Sequence, residues 1–115
     1  MVGIYKFENK INGKVYIGQS VDIEVRYHKH KFGYNNKNQP TEYNSAFYKA
    51  LRKYGWGNFS FCVLEECSPD KLNEREIYYI KKYNSYTRAK NSNGYNMTLG
   101  GDTGRRYSYE EALTL

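Results

Sequence analysis

The chain has 115 residues, a length that fits one compact domain and leaves little room for a second. It carries 18 lysines and arginines against 12 aspartates and glutamates, a formal net charge of +6, together with 14 tyrosines. A basic surface interleaved with aromatic rings suits a polyanion such as a nucleic acid, although the same charge is compatible with a role in solubility alone.

Cysteine content and hydropathy exclude several classes of protein. Cys62 and Cys67 are the only cysteines and do not form a CxxC pair, so we expect two plain thiols and no tetrahedral zinc site. Met1 leads directly into a strand-like run without a signal peptide, and no apolar stretch approaches the ~20 residues that span a bilayer. We therefore expect a soluble, intracellular protein.

The chain begins with two predicted strands joined by a turn. Residues 2–7 and 14–18 are rich in Val, Ile, Tyr and Phe, and Asn12-Gly13 between them suits a tight hairpin turn. Antiparallel pairing places Tyr5 and Tyr16 on the same face of the sheet, because side chains alternate along a strand. A two-residue loop would leave these tyrosines offset along the strands, so their cooperation requires a longer connection, over about residues 8–13.

The first predicted helix runs from residue 20 to about residue 32, with Ser20 as its N-cap. Arg26 and His30 share with Ile23 and Tyr27 the stripe that a helix turns toward its support. A cation in such a stripe is unusual, because charged groups normally take the solvent side.

The second half of the chain predicts a polar loop, a helix, a strand and a last helix, over residues 33–40, 42–54, 59–64 and 68–83. Gly55 is a natural stop for the first of these helices, and Ser68 is the expected cap of the last. The strand is apolar enough to lie in the middle of the sheet. Glu76 falls in the apolar stripe of the last helix, so a carboxylate occupies the face that packs.

These residues suit the hydrolysis of a phosphodiester. That reaction needs a proton acceptor for water, a cation for the phosphoryl oxygens and neutralisation of the leaving oxygen. Arg26 is the candidate for the phosphate and Glu76 for a single Mg²⁺, while the tyrosines and His30 are available for the proton.

Each candidate also has a purely structural interpretation. Glu76 could pair with Arg26 or Arg75, and the stem of Arg26 could serve as packing. His30 could be a hydrogen-bonded surface histidine, and the two tyrosines ordinary strand residues.

Gly3-Ile4-Tyr5, followed by Tyr16-Ile17-Gly18, resembles the name-giving motif of the GIY-YIG nuclease superfamily, including the spacing between its halves. The likeness continues with Arg26, His30 and Glu76, and it closes with the Gly-Tyr-Asn run that ends in glycines at residues 94–101. It covers most of the chain and is greatest for the catalytic domain of phage- or intron-encoded homing endonucleases.

The resemblance implies an α/β (α+β) fold, a small three-stranded antiparallel sheet flanked by helices in the order β-β-α-α-β-α. It implies a catalytic domain over residues 1–101, which leaves residues 102–115 as a tail that starts a linker or a further element. Some relatives carry a further histidine within residues 33–44, where this chain has Glu42-Tyr43-Asn44, so that histidine is not expected here.

The resemblance also implies roles for the site residues. Tyr5 and Tyr16 would hold and help to deprotonate the attacking water, with His30 as the proton acceptor. Arg26 would bind the scissile phosphate, Glu76 would ligate one Mg²⁺ or Mn²⁺ ion, and Asn96 would brace the site. The identity of the base stays open, because a free tyrosine has a pKa of ~10 and needs help from a cation or from the histidine.

We therefore expect a divalent-metal-dependent DNA endonuclease domain that nicks or cleaves its substrate. The alternatives are a non-catalytic DNA-binding module on the same scaffold and a structure-specific repair or restriction nuclease. DNA is the expected partner, the expected state is a monomer, and the expected compartment is the cytoplasm of a bacterial or phage-infected host.

Overall fold

The computed structural model describes residues 1–101, and the predicted tail lies outside the described residues. Its elements, in chain order, are β1 (Gly3–Asn9), β2 (Val15–Ser20), α1 (Ile23–Gly33), α2 (Pro40–Tyr43), α3 (Ala46–Tyr54), β3 (Phe59–Glu66) and α4 (Leu72–Tyr83). Single 3₁₀ turns at Trp56–Asn58 and Pro69–Lys71 precede β3 and α4. The predicted α+β fold is confirmed, and its strands follow one another along the chain with the helices between them as expected.

The sheet is antiparallel in the order β2-β1-β3, with β1 at its centre. The prediction that the third strand lies in the middle is wrong: β3 is at an edge of the sheet and, among the described residues, pairs with β1 alone, and its Cys62 and Val63 are exposed. The central strand is β1, whose Ile4 and Tyr5 are buried on opposite faces. Apolar composition alone did not distinguish these two strands, because both consist largely of residues that favour sheets.

The hairpin between β1 and β2 has a five-residue connection, residues 10–14, as the expected cooperation of the tyrosines requires. Backbone hydrogen bonds join Asn9 N to Lys14 O and Gly13 N to Asn9 O, each at 2.8 Å, and Gly13 adopts a φ of +76°. Phe7 pairs with Tyr16 and Tyr5 with Gly18. Tyr5 and Tyr16 therefore lie on one face of the sheet, on neighbouring strands and two residues apart in register.

The helix boundaries depart from the sequence prediction at three caps. Asp22 rather than Ser20 caps α1, since its Oδ1 accepts from Val25 N at 3.2 Å. Ser68 makes no side-chain cap, because a 3₁₀ turn separates it from α4. The helix predicted over residues 42–54 is divided into α2 and α3, because the Ser45 side chain accepts from Tyr48 N and starts a new helix. The predicted end of this helix at Gly55 is confirmed, because Gly55 follows α3 and adopts a φ of +89°.

Two cores lie on the two faces of the sheet. The larger is aromatic, covers the face that carries Tyr5 and is closed by α1 and α3, and its buried members are Tyr5, Phe7, Ile23, Phe47, Tyr48, Ala50, Leu51 and Tyr95. The smaller is aliphatic, lies under α4 and has as its buried members Ile4, Ile17, Leu72 and Ile80. Tyrosine is thus a large part of the core, so its hydroxyl groups need partners inside the protein.

The outer edge of β2 is covered by the segment that follows α4. Val15 N donates to Asn93 O at 3.0 Å and Tyr95 N donates to Val15 O at 2.9 Å, so this segment adds backbone pairing to the strand. Within residues 1–101, no helix has the length and apolar character to cross a membrane.

Candidate active site

The centre of the site is a buried chain of three side chains. Tyr5 Oη lies 2.7 Å from His30 Nε2, and His30 Nδ1 lies 2.9 Å from Tyr48 Oη. All three residues are buried, and His30 is 1% exposed. A neutral imidazole has one nitrogen that donates and one that accepts, so the ring satisfies one phenol as donor and the other as acceptor.

His30 is neutral in this environment. Burial, together with the nearby Arg26 guanidinium, lowers the pKa of its imidazole to about 3. The role of His30 as proton acceptor stays a prediction, and these surroundings oppose it, because protonation would place a second cation beside Arg26 in a site that excludes water.

The tyrosines of the motif are held in their protonated forms. Burial raises the pKa of Tyr5 well above 10, and the neighbouring Tyr16 raises it further. Burial and Glu76 raise the pKa of Tyr16 in the same way, and its ring stacks on Phe47 with the centroids 4.2 Å apart. A Cβ at Gly18 would overlap the Tyr5 ring, so the second half of the motif needs glycine for this close approach.

Arg26 lies at the mouth of this cluster with its side chain 31% exposed. Its Nη2 donates to Glu42 Oε1 at 2.8 Å, which keeps the pKa of the guanidinium high although burial opposes it. The guanidinium has five N–H donors, of which this contact uses one, so it can hold a further oxyanion.

Glu76 is 7% exposed, as expected for a carboxylate in the apolar stripe of α4. Its Oε1 accepts hydrogen bonds from Gly101 N at 2.8 Å and from Gln19 Nε2 at 3.1 Å. Arg75, one of the structural partners considered above, instead binds Glu65 through Nε and Nη2 at 2.9–3.0 Å.

The two halves of the site meet at the edge of β2. Tyr16 belongs to the aromatic face of the sheet, whereas α4 packs on the aliphatic face. Tyr16 and Glu76 of α4 nevertheless line one cavity of about 140 Å³, together with Tyr95, Asn96, Met97 and Thr98. Glu76 and Arg26 both act on the Tyr16 phenol, the carboxylate raising its pKa and the guanidinium lowering it.

Asn96 holds the strand that carries Tyr16. Its Oδ1 accepts from Ile17 N at 2.9 Å and from Ser85 Oγ at 2.7 Å, and its Nδ2 donates to Ile17 O at 2.8 Å. The Asn96 side chain therefore anchors the backbone of β2 next to the cavity.

The surroundings of Glu76 fit one divalent cation. Mg²⁺ is commonly bound through one or two carboxylates together with water and substrate phosphates, and Glu76 can supply the carboxylate. The buried Gln19 Oε1 has no hydrogen-bond partner, while Nε2 of the same amide donates to Glu76 and Asn73. Within residues 1–101 no group of three or more His, Cys, Asp or Glu side chains forms a metal cage, so water and phosphate would complete the coordination.

The structure thus brings together Tyr5, Tyr16, Arg26 and His30 in one hydrogen-bonded and charge-coupled cluster, with Glu76 and Asn96 at its border. Tyr48, Glu42 and Gln19 were not predicted as site residues. No local pattern marks these three residues, because their partners are distant in sequence.

Comparisons with known proteins identify the family to which this fold and site belong. Residues 1–96 match the family described as the GIY-YIG catalytic domain, and the chain belongs to this family. It is similar in structure to the catalytic domain of the homing endonuclease I-TevI, with a TM-score of 0.68 and 31% identity over 85% of this chain and 99% of that one. A mutant of the same domain gives a TM-score of 0.67 and 30% identity over 86% and 95% of the two chains.

Curated relatives show the same likeness in sequence. Intron-associated endonuclease 1 of Enterobacteria phage T4 is 30% identical over 96% of this chain and 43% of its own length. Probable intron-encoded endonuclease 1 of Neurospora crassa is 35% identical over 71% and 27%, and putative endonuclease segE of phage T4 is 32% identical over 85% and 41%. The chain therefore spans less than half the length of these relatives.

Proposed function

We propose that this chain is a divalent-metal-dependent DNA endonuclease domain of the homing-endonuclease type, which hydrolyses phosphodiester bonds. The observation that carries the proposal is that Glu76, on α4, lines one cavity with Tyr16 at the edge of β2, while the part-exposed guanidinium of Arg26, on α1, belongs to the cluster of Tyr5, Tyr16 and His30. A cation and a carboxylate that lie near the same phenol can bind a phosphate and a metal ion side by side.

Each residue then has a role that follows from its surroundings. Arg26 binds the phosphate through the donors that Glu42 does not use. Tyr5 and Tyr16, both protonated, donate hydrogen bonds to the phosphate or to the attacking water, and His30 holds the Tyr5 hydroxyl in place. Glu76 would ligate one Mg²⁺ or Mn²⁺ ion, which would supply charge neutralisation of the leaving oxygen when bound.

The substrate proposed is DNA, and the sequence preference of this chain alone is expected to be weak. Two of the relatives are named as an intron-associated and a probable intron-encoded endonuclease, and this chain spans less than half of their length. A monomer carries one such site, so we expect nicking, or cleavage of the two strands in separate steps.

The test is a nicking assay on supercoiled plasmid with Mg²⁺ or Mn²⁺, comparing the wild type with Glu76→Gln and Arg26→Ala. We expect the rate to fall by about 10²-fold or more in each variant, the typical effect of removing one group that stabilises the transition state. Matched controls are Glu74→Gln on α4 and Lys29→Ala on α1, both exposed and expected to cut at the wild-type rate.

Cleavage by Glu76→Gln at the wild-type rate would contradict the proposed mechanism. Salt-sensitive binding of DNA by the wild type without any product would instead support the DNA-binding module.

A further inference from the structure

The side chain of Gln19 connects the edge strand to the helix that carries the candidate metal ligand. Gln19 lies on β2, where it pairs with Ile4 of β1. Its Nε2 donates to Asn73 Oδ1 at 2.8 Å and to Glu76 Oε1 at 3.1 Å. Asn73 and Glu76 are three residues apart on α4 and therefore share one face of this helix. One amide group thus spans a turn of α4 and ends at the Glu76 carboxylate.

These contacts fix the direction in which the Gln19 amide points. An amide nitrogen carries two N–H groups, and here one is available for each acceptor. An ionised carboxylate only accepts, so the nitrogen of the amide rather than its oxygen must face Glu76. The reverse orientation would place the amide oxygen against a carboxylate oxygen, which is repulsive. Gln19 Nε2 therefore holds Glu76 Oε1 in place, together with the backbone N–H of Gly101 at 2.8 Å.

The same orientation leaves the other end of the Gln19 amide without a protein partner. Gln19 Oε1 is buried, and no group within residues 1–101 donates a hydrogen bond to it. Buried polar atoms are nearly always hydrogen-bonded, so an acceptor of this kind beside a carboxylate indicates that a positively polarised group binds there. A divalent cation at Glu76 supplies such a group, because Mg²⁺ keeps several of its waters and polarises their O–H bonds.

We propose that Gln19 is the positioning residue of the metal site, an inference that rests on the metal-dependent function proposed above. Its amide N–H holds the Glu76 carboxylate in the orientation that receives the cation. Its carbonyl oxygen accepts hydrogen bonds from the water that the cation carries. Partners that hold metal ligands by hydrogen bonds commonly change metal affinity by roughly 10- to 100-fold when they are substituted, so binding of the metal itself reports on this role.

The experiment measures Mn²⁺ binding by the full chain, from the loss of the electron paramagnetic resonance signal of free Mn²⁺ during a titration. Gln19→Met keeps the length of the side chain but has no N–H donor and only a weakly accepting sulfur. We therefore expect the Kd for Mn²⁺ to rise by roughly 10- to 100-fold. Gln39→Met is the matched control and should bind Mn²⁺ as the wild type does, because Gln39 is exposed and its side chain caps no helix. Glu76→Gln removes the carboxylate and defines binding outside the site.

A second variant, Gln19→Glu, separates this role from a purely structural one. The glutamate has no N–H group for Glu76 or Asn73, but it places a charged acceptor at the position of the amide. At mildly alkaline pH a bound cation relieves the repulsion between the two carboxylates. Gln19→Glu should therefore bind Mn²⁺ at least as tightly as the wild type, and Mn²⁺ should raise its Tm more. If Gln19 only joined β2 to α4, this variant would bind Mn²⁺ no better than Gln19→Met.

The metal dependence of plasmid nicking is the second readout, and it also covers binding of Mn²⁺ that requires DNA. In Gln19→Met the Mn²⁺ concentration at half-maximal rate should rise by the same factor as the Kd, while the rate at saturating Mn²⁺ should change little. In Gln39→Met both quantities should match the wild type.

An unchanged Mn²⁺ requirement in Gln19→Met overturns the inference, and so does an equal loss of Mn²⁺ affinity in Gln19→Met and Gln19→Glu. If the wild type nicks plasmid, Glu76→Gln does not, and both Gln19 variants respond to Mn²⁺ as the wild type does, the inference alone fails. A wild type that binds no more Mn²⁺ than Glu76→Gln and cuts no plasmid overturns the proposed function and the inference together.

Discussion

At the scale of single residues, His30 shows how burial changes the chemistry of a side chain. An exposed histidine is half-protonated near neutral pH, whereas this one bridges two phenols in an aromatic core and stays neutral. Its value to the site is therefore orientation of the Tyr5 hydroxyl, and the positive charge of the cluster comes from Arg26.

The lowered pKa of His30 predicts a pH dependence of stability. Its folded pKa of about 3 lies below the unfolded value of ~6.5, so between these values the unfolded chain binds more protons and the free energy of unfolding falls with falling pH. From pH 7 to pH 4.5 we expect His30 to account for a loss of about 2–3 kcal/mol, measured by urea denaturation.

Two variants isolate this contribution from the carboxylates that titrate in the same range. His30→Gln should lose stability at pH 7 but show a flatter pH dependence than the wild type, whereas the exposed His28→Gln should reproduce the wild-type curve. Parallel curves for all three proteins would show that His30 is not held neutral.

At the scale of elements, the edge strand β2 joins the two halves of the site. Its Tyr16 side chain belongs to the aromatic face, and its Gln19 side chain reaches Glu76 on α4. The position of β2 depends on the segment after α4, because Asn96 holds both the N–H and the carbonyl of Ile17.

Removal of the Asn96 hydrogen bonds should destabilise the sheet edge and the site together. Asn96→Ala leaves two buried backbone groups of Ile17 and the Ser85 hydroxyl without these partners, so we expect a loss of about 2–4 kcal/mol in the free energy of unfolding. Chemical denaturation measures it, and plasmid nicking should fall as well.

Asn93→Ala is the control for this change, since its side chain is exposed and makes one long contact, 3.4 Å to Gly13 O. We expect its stability to stay within about 0.5 kcal/mol of the wild type, as for most surface substitutions. Equal losses in the free energy of unfolding for the two asparagine variants would show that the Asn96 side chain does not anchor β2.

At the scale of the whole molecule, the net charge of +6 bears on DNA binding more than on the fold. If the domain neutralises three phosphates, affinity for a short duplex should weaken about 40-fold between 50 and 200 mM salt. Fluorescence anisotropy without divalent ions measures this binding apart from cleavage.

Substitution of the proposed phosphate contact, Arg26, should change the slope of the salt dependence. Arg26→Ala is expected to reduce it by about one phosphate, whereas Arg75→Ala should change it little, because Arg75 is already engaged by Glu65. Binding that is insensitive to salt would favour the alternative in which the positive charge serves solubility alone.

The sequence by itself determined the class of fold and most members of the site. Hydrophobic alternation, the Asn-Gly turn and the capping signals are local, so they predicted the strands and helices to within a few residues. Glu76 and Arg26 stood out because a charge on an apolar helical stripe requires a reason. The roles of Tyr5 and Tyr16 depended on the family motif, since strand tyrosines are common.

Tertiary structure alone decided which strand is central, where the second helix is divided, and which partners the site residues have. These features depend on pairing between distant segments: β1 with β3, Arg26 with Glu42, His30 with Tyr48, and Glu76 with Gly101. Local pattern cannot report them, because burial, hydrogen-bond partners and pKa values are set by neighbours in space. Glu42 therefore looked like one more polar residue at the start of a predicted helix until the fold placed it beside Arg26.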